Sequence, residues 1–164
     1  MQKINDHTDI LVGLRKIIRS IHLESKMIQK QYGVSIPQLL CLKYLKNQEE
    51  FKATAKDLRN YMNLNASTIT GIIGRLEKKG YVAKMPKGAD KRMSVVALTA
   101  LGSSVVDKVP PLLHSKLTLK LKELPKGKLK EIQDAIDLLI EFMGTEQLDA
   151  SPVIMIQDPS ENDN

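Results

Sequence analysis

The chain has 164 residues, 42% of them apolar, with no tryptophan and only four tyrosines and two phenylalanines, which suits one domain of aliphatic helices with a dimerising extension. No uncharged apolar run is long enough for a membrane helix, and "MQKINDHTDI" at the start lacks the apolar stretch of a signal peptide, so a cytoplasmic protein is expected. The net charge is +6, but residues 144–164 hold five acids and no base, leaving +11 on residues 1–143; a polyanion, DNA first, is the expected partner.

Leu11, Leu14, Ile18, Ile21, Ser25, Ile28 and Tyr32 alternate at three–four spacing, which predicts one long helix over residues 10–32 with an apolar seam. Ile10 and Ile17 widen that face beyond what one neighbour covers, so a second chain is expected against it. "GVSIPQLLCLKYLKN" opens a second helix, with Ser35 and Gln38 at capping-box distance and Pro37 in the first turn. Thr54 and Asp57 repeat the capping spacing for a short third helix, whose inward face is Ala55, Leu58 and Met62. Asn63 and Leu64 make a tight turn, Asn65 caps the next helix and Gly80 ends it. Two β-prone segments, 81–85 and 93–98, then flank the basic turn "PKGADKR" and predict a hairpin. Residues 99–109 are helical until Pro110-Pro111 breaks or kinks the run; the pattern resumes through "LLHSKLTLKLKEL". Pro125 opens a last helix with Leu129, Ile132, Ile136, Leu139 and Met143 facing inward, and the acidic tail is expected to be disordered beyond about residue 157.

The helix starting at Ala66 carries the chemistry. At 100° per residue, Ile69, Ile72, Ile73 and Leu76 share one side, and Ser67, Gly71, Gly74 and Lys78 the other, with Thr70 and Arg75 on its flanks. Two glycines inside a helix cost about 2 kcal/mol relative to alanine, which points to close approach along that face or to compensation by packing. A major groove accepts one helix and is read by short polar groups near its N-terminus. Ser67, Thr68 and Thr70 can donate to or accept from base edges, Gly71 lets the backbone sit deep, and Arg75 is placed for a phosphate. No acid lies between Asn65 and Gly74 to repel DNA. Packing of small residues against a neighbouring helix explains this face equally well when it is taken alone. The preceding short helix and turn favour helix–turn–helix, and the hairpin tip, with Lys84, Lys87, Lys91 and Arg92, can enter an adjacent minor groove.

Cys41, the single cysteine, sits among leucines and reads as a buried apolar thiol rather than a redox sensor. His7, His22 and His114 have no second ligand at metal spacing, so neither a metal nor any other cofactor is expected. No nucleophile–base pair or phosphate loop supports an enzyme.

The stretch "FKATAKDLRNYMNLNASTITGIIGRLEKKGYVAKMPKGADKRMSVVALTALG" resembles the winged helix–turn–helix of the MarR family of bacterial transcription regulators. The likeness is carried by the "RLEKKGYV" exit from the reading helix, the wing "DKR" at residues 90–92 and "LTALG" opening the next helix, and helix order agrees from about residue 9 to 143. It implies a homodimer joined by the first helix and the last two, major-groove reading from Ala66 onward, and Arg92 in the minor groove with Asp90 orienting the wing. Many members have Arg and Asp where this chain has Gly71 and Gly74, so one family contact is missing or replaced. Relatives often bind small anions between the dimer helices and the DNA-binding lobe. Arg15, Arg19 and His22 are candidates for such an effector site, although a solvated helix face explains them too. "LRKIIRSIHLESK", "VPPLL" and "LDASPV" are further similar to repressors of ectoine and related compatible-solute operons, which implies osmotic-stress genes.

The expected fold is thus mainly α with a small β-hairpin wing. Residues 1–34 form a dimerisation helix, 35–99 the winged helix–turn–helix, 100–144 further dimerisation helices and 145–164 an acidic tail. The expected function is a dimeric repressor on a pseudo-palindromic operator, answering to a small molecule or to salt itself. A winged-helix module that docks proteins without sequence-specific DNA binding is the alternative.

Overall fold

The computed structural model describes residues 6–85 and 94–148. In chain order it forms α1 (Asp6–Tyr32), α2 (Ile36–Lys46), a 3-10 turn (Glu49–Phe51), β1 (Lys52–Thr54), α3 (Ala55–Met62), α4 (Ala66–Lys78), β2 (Val82–Lys84), β3 (Val95–Leu98), α5 (Ala100–Lys108), α6 (Leu113–Lys122) and α7 (Lys126–Met143). The mainly α fold with a hairpin is as expected. Two compact units part between Pro110 and Pro111, the first holding α1–α5 and the second α6 and α7. The two prolines thus end one helix outright instead of kinking it.

Local chemistry explains where the helices begin and end. The Ser35 hydroxyl accepts from the Gln38 amide at 3.4 Å, and the Gln38 side-chain oxygen accepts from the Ser35 amide at 3.3 Å. Thr54 and Asp57 repeat this reciprocal cap at 3.0 and 3.1 Å; the Thr54 hydroxyl and amide together hold the Asp57 carboxyl below the usual carboxylate range. Asn63 adopts the left-handed conformation (φ 49°) that stops α3 and turns the chain toward α4. At the far end of α4, Gly80 (φ 73°) donates to the Glu77 carbonyl at 2.9 Å, and Tyr81 to the Leu76 carbonyl at 3.0 Å. That is the paired bonding of a Schellman stop, which a glycine adopts without strain.

The hairpin is joined by a third strand that the sequence reading lacks. Strand β3 is central, antiparallel to both β1 (Ala53 opposite Val96) and β2 (Ala83 opposite Ala97). Three residues are too few to display a two-residue alternation, and β1 exists only because β3 supplies its partners from far along the chain.

The core is aliphatic: Leu39, Leu42 and Leu45 of α2 meet Leu58 and Met62 of α3, Ile69, Ile72, Ile73 and Leu76 of α4, and Val82 and Val96 of the sheet. Ala55 is only half-buried. Cys41 lies fully inside, and desolvation pushes its thiol up to about 12. It should therefore resist a disulfide-exchange reagent in the native protein at pH 8 and react fully once unfolded in guanidinium; rapid native reaction would refute this burial.

The outer helices leave much of their apolar surface exposed. The seam of α1 is buried at Ile28, while Leu11 and Ile18 are exposed; Ile10 and Ile17 are exposed beside them. Leu129, Ile132, Ile136 and Met143 of α7, expected to face inward, are also exposed, and Leu139 is half-buried. The periodicity is present, but within each unit the described residues leave these faces exposed.

Candidate nucleic-acid interface

The buried side of α4 seats it on α2 and α3, so its opposite face is turned outward. Thirteen residues with no acid in the first turn offer free backbone N–H groups at a positive helix end. Ser67 and Thr70 are exposed there, while Thr68, Gly71 and Gly74 are half-buried.

The hydroxyls are more ordered than their residue types imply. Asn65 Oδ1 accepts from the Thr68 amide at 2.8 Å and from the Ser67 hydroxyl at 2.7 Å, so one cap holds two of the candidate residues. The Thr70 hydroxyl donates to the Ala66 carbonyl at 2.8 Å. Each hydroxyl has a single proton, and both Ser67 and Thr70 use it within the helix. What they turn outward are oxygen lone pairs, which suit the amino groups of adenine or cytosine better than a phosphate.

Arg75 lies back along the helix. A Cβ built on Gly71 would sit 3.4 Å from one guanidinium nitrogen and 3.9 Å from the other, so the missing side chain at Gly71 makes the seat for Arg75. Its Nε is shut off from solvent. The guanidinium thus lies over the outward face one turn nearer the N-terminus. Gly74, by contrast, would meet nothing within 4 Å.

Lys84 belongs to β2 and not to the hairpin tip, and its ammonium pairs with Glu77 of α4 at 2.6 Å. This ion pair fastens β2 to α4. Lys87, Asp90, Lys91 and Arg92 lie outside the described residues. Arg15, Arg19 and His22 are exposed and, with Ile18, Leu23 and Lys26, line an open depression on α1 alone. Among the described residues no cluster of three His, Cys, Asp or Glu side chains could hold a metal, and no helix is long and apolar enough to cross a membrane.

Two residues unnoticed in the sequence bear on this interface. Lys79, which caps α4, donates to the Gly33 carbonyl at 2.7 Å and to the Gln38 side-chain oxygen at 3.1 Å. Gly102 packs against the backbone of Tyr81 at the start of the wing. "EKKGY" gives no signal for the first, because the partners are distant in sequence; "LTALG" holds the second in plain view, but its spacing alone does not say what the glycine meets.

Comparison with known proteins agrees with this geometry. Residues 34–94 match the MarR family. The uncharacterised HTH-type transcriptional regulator YsmB of Bacillus subtilis is 31% identical over 101 residues, 62% of this chain and 68% of the relative. YfiV of the same organism, also an uncharacterised HTH-type transcriptional regulator, is 26% identical over 135 residues, 82% of this chain and 83% of its own. The fold is shared with MepR of S. aureus, solved as a DNA complex, at a TM-score of 0.60 and 15% identity over 80% of this chain and 96% of that one. The chain belongs to the MarR family of winged-helix transcriptional regulators: it is a DNA-binding protein and not an enzyme.

Proposed function

We propose that the protein is a dimeric repressor that reads a pseudo-palindromic operator with the outward face of α4. The observation that carries this is α4 itself, a helix anchored by four buried aliphatic residues whose other face, from Ser67 to Gly74, offers only small side chains and hydroxyl lone pairs, with the Arg75 guanidinium folded back over Gly71. Ser67, Thr68, Thr70, Gly71 and Arg75 are the groove-facing set; Lys84, Lys87, Lys91 and Arg92 form the basic wing, with Asp90 orienting the wing. Uncovered aliphatic residues such as Ile17 and Ile18 on α1 and Ile132 and Ile136 on α7 support a second copy as the cover. Residues 1–34 and 100–144 then hold the dimer, which sets the two α4 helices at half-sites roughly 34–36 Å apart.

The regulated genes are those of osmotic stress and the protein works in the cytoplasm. The signal is a small anion at Arg15, Arg19 and His22, or ionic strength acting directly on the DNA contacts. Each neutralised phosphate lowers log affinity by about 0.9 per log unit of salt, so a handful of contacts makes binding steeply salt-dependent.

Fluorescence anisotropy on the protein's own upstream DNA, against scrambled DNA of equal length and across a salt series, tests the proposal. Sequence-dependent binding is expected, with a log–log slope of several units. Arg92→Ala is expected to weaken it about tenfold with the dimer intact by sedimentation. Equal binding to both DNAs at every salt would overturn the repressor. A flat salt response with specific binding would remove direct salt sensing and leave the anion.

A further inference from the structure

We propose that Lys79 is a positioning residue for DNA reading: it ties the last turn of α4 to the junction of α1 and α2 and so sets the angle at which α4 is presented. The proposal rests on α4 being the groove reader.

The last buried residue of α4 is Leu76; Glu77, Lys78, Lys79 and Gly80 beyond it are all exposed. Apolar packing therefore ends before the helix does, and polar ties hold the final turn. On one side Glu77 grips Lys84 of β2. On the other, the Lys79 ammonium reaches the Gly33 carbonyl at 2.7 Å and the Gln38 side chain at 3.1 Å.

Both acceptors are special in their own elements. Gly33 follows the last residue of α1 in a left-handed conformation (φ 68°), where carbonyls lack partners within the helix and the helix dipole is negative. A cation there is favoured twice, by hydrogen bond and by dipole. Gln38 is a buried polar residue, 2% exposed, and the same side-chain oxygen that receives Lys79 also accepts the Ser35 amide of the α2 cap. One amide oxygen thus joins the start of α2 to the end of α4, while the neighbouring bond joins the end of α1 to the same ammonium.

The geometry makes this tie a lever. Lys79 and Thr68 lie about 16 Å apart along the helix axis, so a tilt of about 5° at one end displaces the other by about 1.4 Å. A hydrogen bond to a base edge does not survive a misplacement of that size unchanged. Displacement of α1 would reach α4 through the same ammonium, since Gly33 moves with the end of α1.

The test uses full-length Lys79→Met and Lys79→Arg, with anisotropy on upstream and scrambled DNA across a salt series and thermal unfolding of each variant. For Lys79→Met, upstream DNA should bind about tenfold more weakly, as expected for loss of charged hydrogen bonds. Scrambled DNA should bind as before with its salt slope unaltered, and Lys79→Arg should recover most of the loss. A proportional loss on both DNAs, with the slope lowered by about 0.9, would make Lys79 a phosphate contact and overturn the proposal. A lower melting point with upstream affinity unchanged would make it a stabilising contact only, and overturn it equally. Failure of Lys79→Arg to recover any affinity also counts against it. If the wild-type protein itself does not prefer upstream DNA, the groove-reading proposal fails, and this one falls with it.

Discussion

Gly102→Ala should remove about 3 kcal/mol or more of folding stability, a large part of what a domain of this size possesses. A Cβ at Gly102 would stand 2.1 Å from the Tyr81 carbonyl oxygen, 3.0 Å from its carbon and 2.9 Å from Leu98 Cδ1. Leu98 could swing away, but the carbonyl could not. It accepts from the Thr99 amide at 3.1 Å, with the Thr99 hydroxyl oxygen also 3.1 Å away. The same hydroxyl donates to the Gly80 carbonyl at 2.7 Å and accepts from the Gly102 amide at 3.1 Å, capping α5. Making room for one methyl group therefore means moving the start of α5, the exit of α4 and the first residue of the wing together. The cap itself contributes about 1 kcal/mol and would be strained in the same step. Urea unfolding followed by far-UV circular dichroism measures the outcome. A midpoint equal to wild type would show that α5 can slide off β2 without cost, and would refute the close approach.

That glycine also shows what was legible in the sequence. "LTALG" is a recognisable string, and Thr99 reads as a cap, yet nothing in the spacing says that position 102 meets a carbonyl. Local chemistry was readable throughout: Ser35 with Gln38, Thr54 with Asp57, Asn65 and Gly80 all act within a few residues of themselves, and all are found as expected. So was the buried side of α4, because an apolar residue at helical spacing has little choice of direction. What failed to show depends on distant partners. Strand β1 needs β3, Lys79 needs Gly33 and Gln38, and Lys84 needs Glu77. Rotamers were equally hidden: Arg75 could have reached outward, and its fold over Gly71 is apparent only from coordinates. The stripes of α1 and α7 were legible as stripes, but Leu129, Ile132, Ile136 and Met143 are exposed where an inward direction was expected, since periodicity reports that a face is apolar and not which chain covers it.

Gly74 offers the sharpest separation of stability from DNA reading. With nothing within 4 Å of its absent Cβ and a helical backbone, Gly74→Ala should stabilise the fold by about 1 kcal/mol through the ordinary helix preference. Gly74→Gln should be at least as stable as wild type, since a long polar side chain there extends into open space. On the proposed interface the same open space is where the groove floor lies, and a glutamine would hold α4 away from it. Upstream DNA should then bind about a hundredfold more weakly, equivalent to losing one or two base contacts, while scrambled DNA, held by phosphates alone, changes much less. Gly71→Ala makes an instructive companion. Its methyl would press on the tip of a flexible arginine 3.4 Å away, so it should alter which sequence is preferred more than how firmly DNA is held. Thermal unfolding and anisotropy on the same preparations decide the matter. A Gly74→Gln protein that folds well and keeps full operator affinity would mean that the glycine side of α4 faces solvent in the complex. The reading surface would then have to lie toward Thr68 and Arg75, on the flanks of the face.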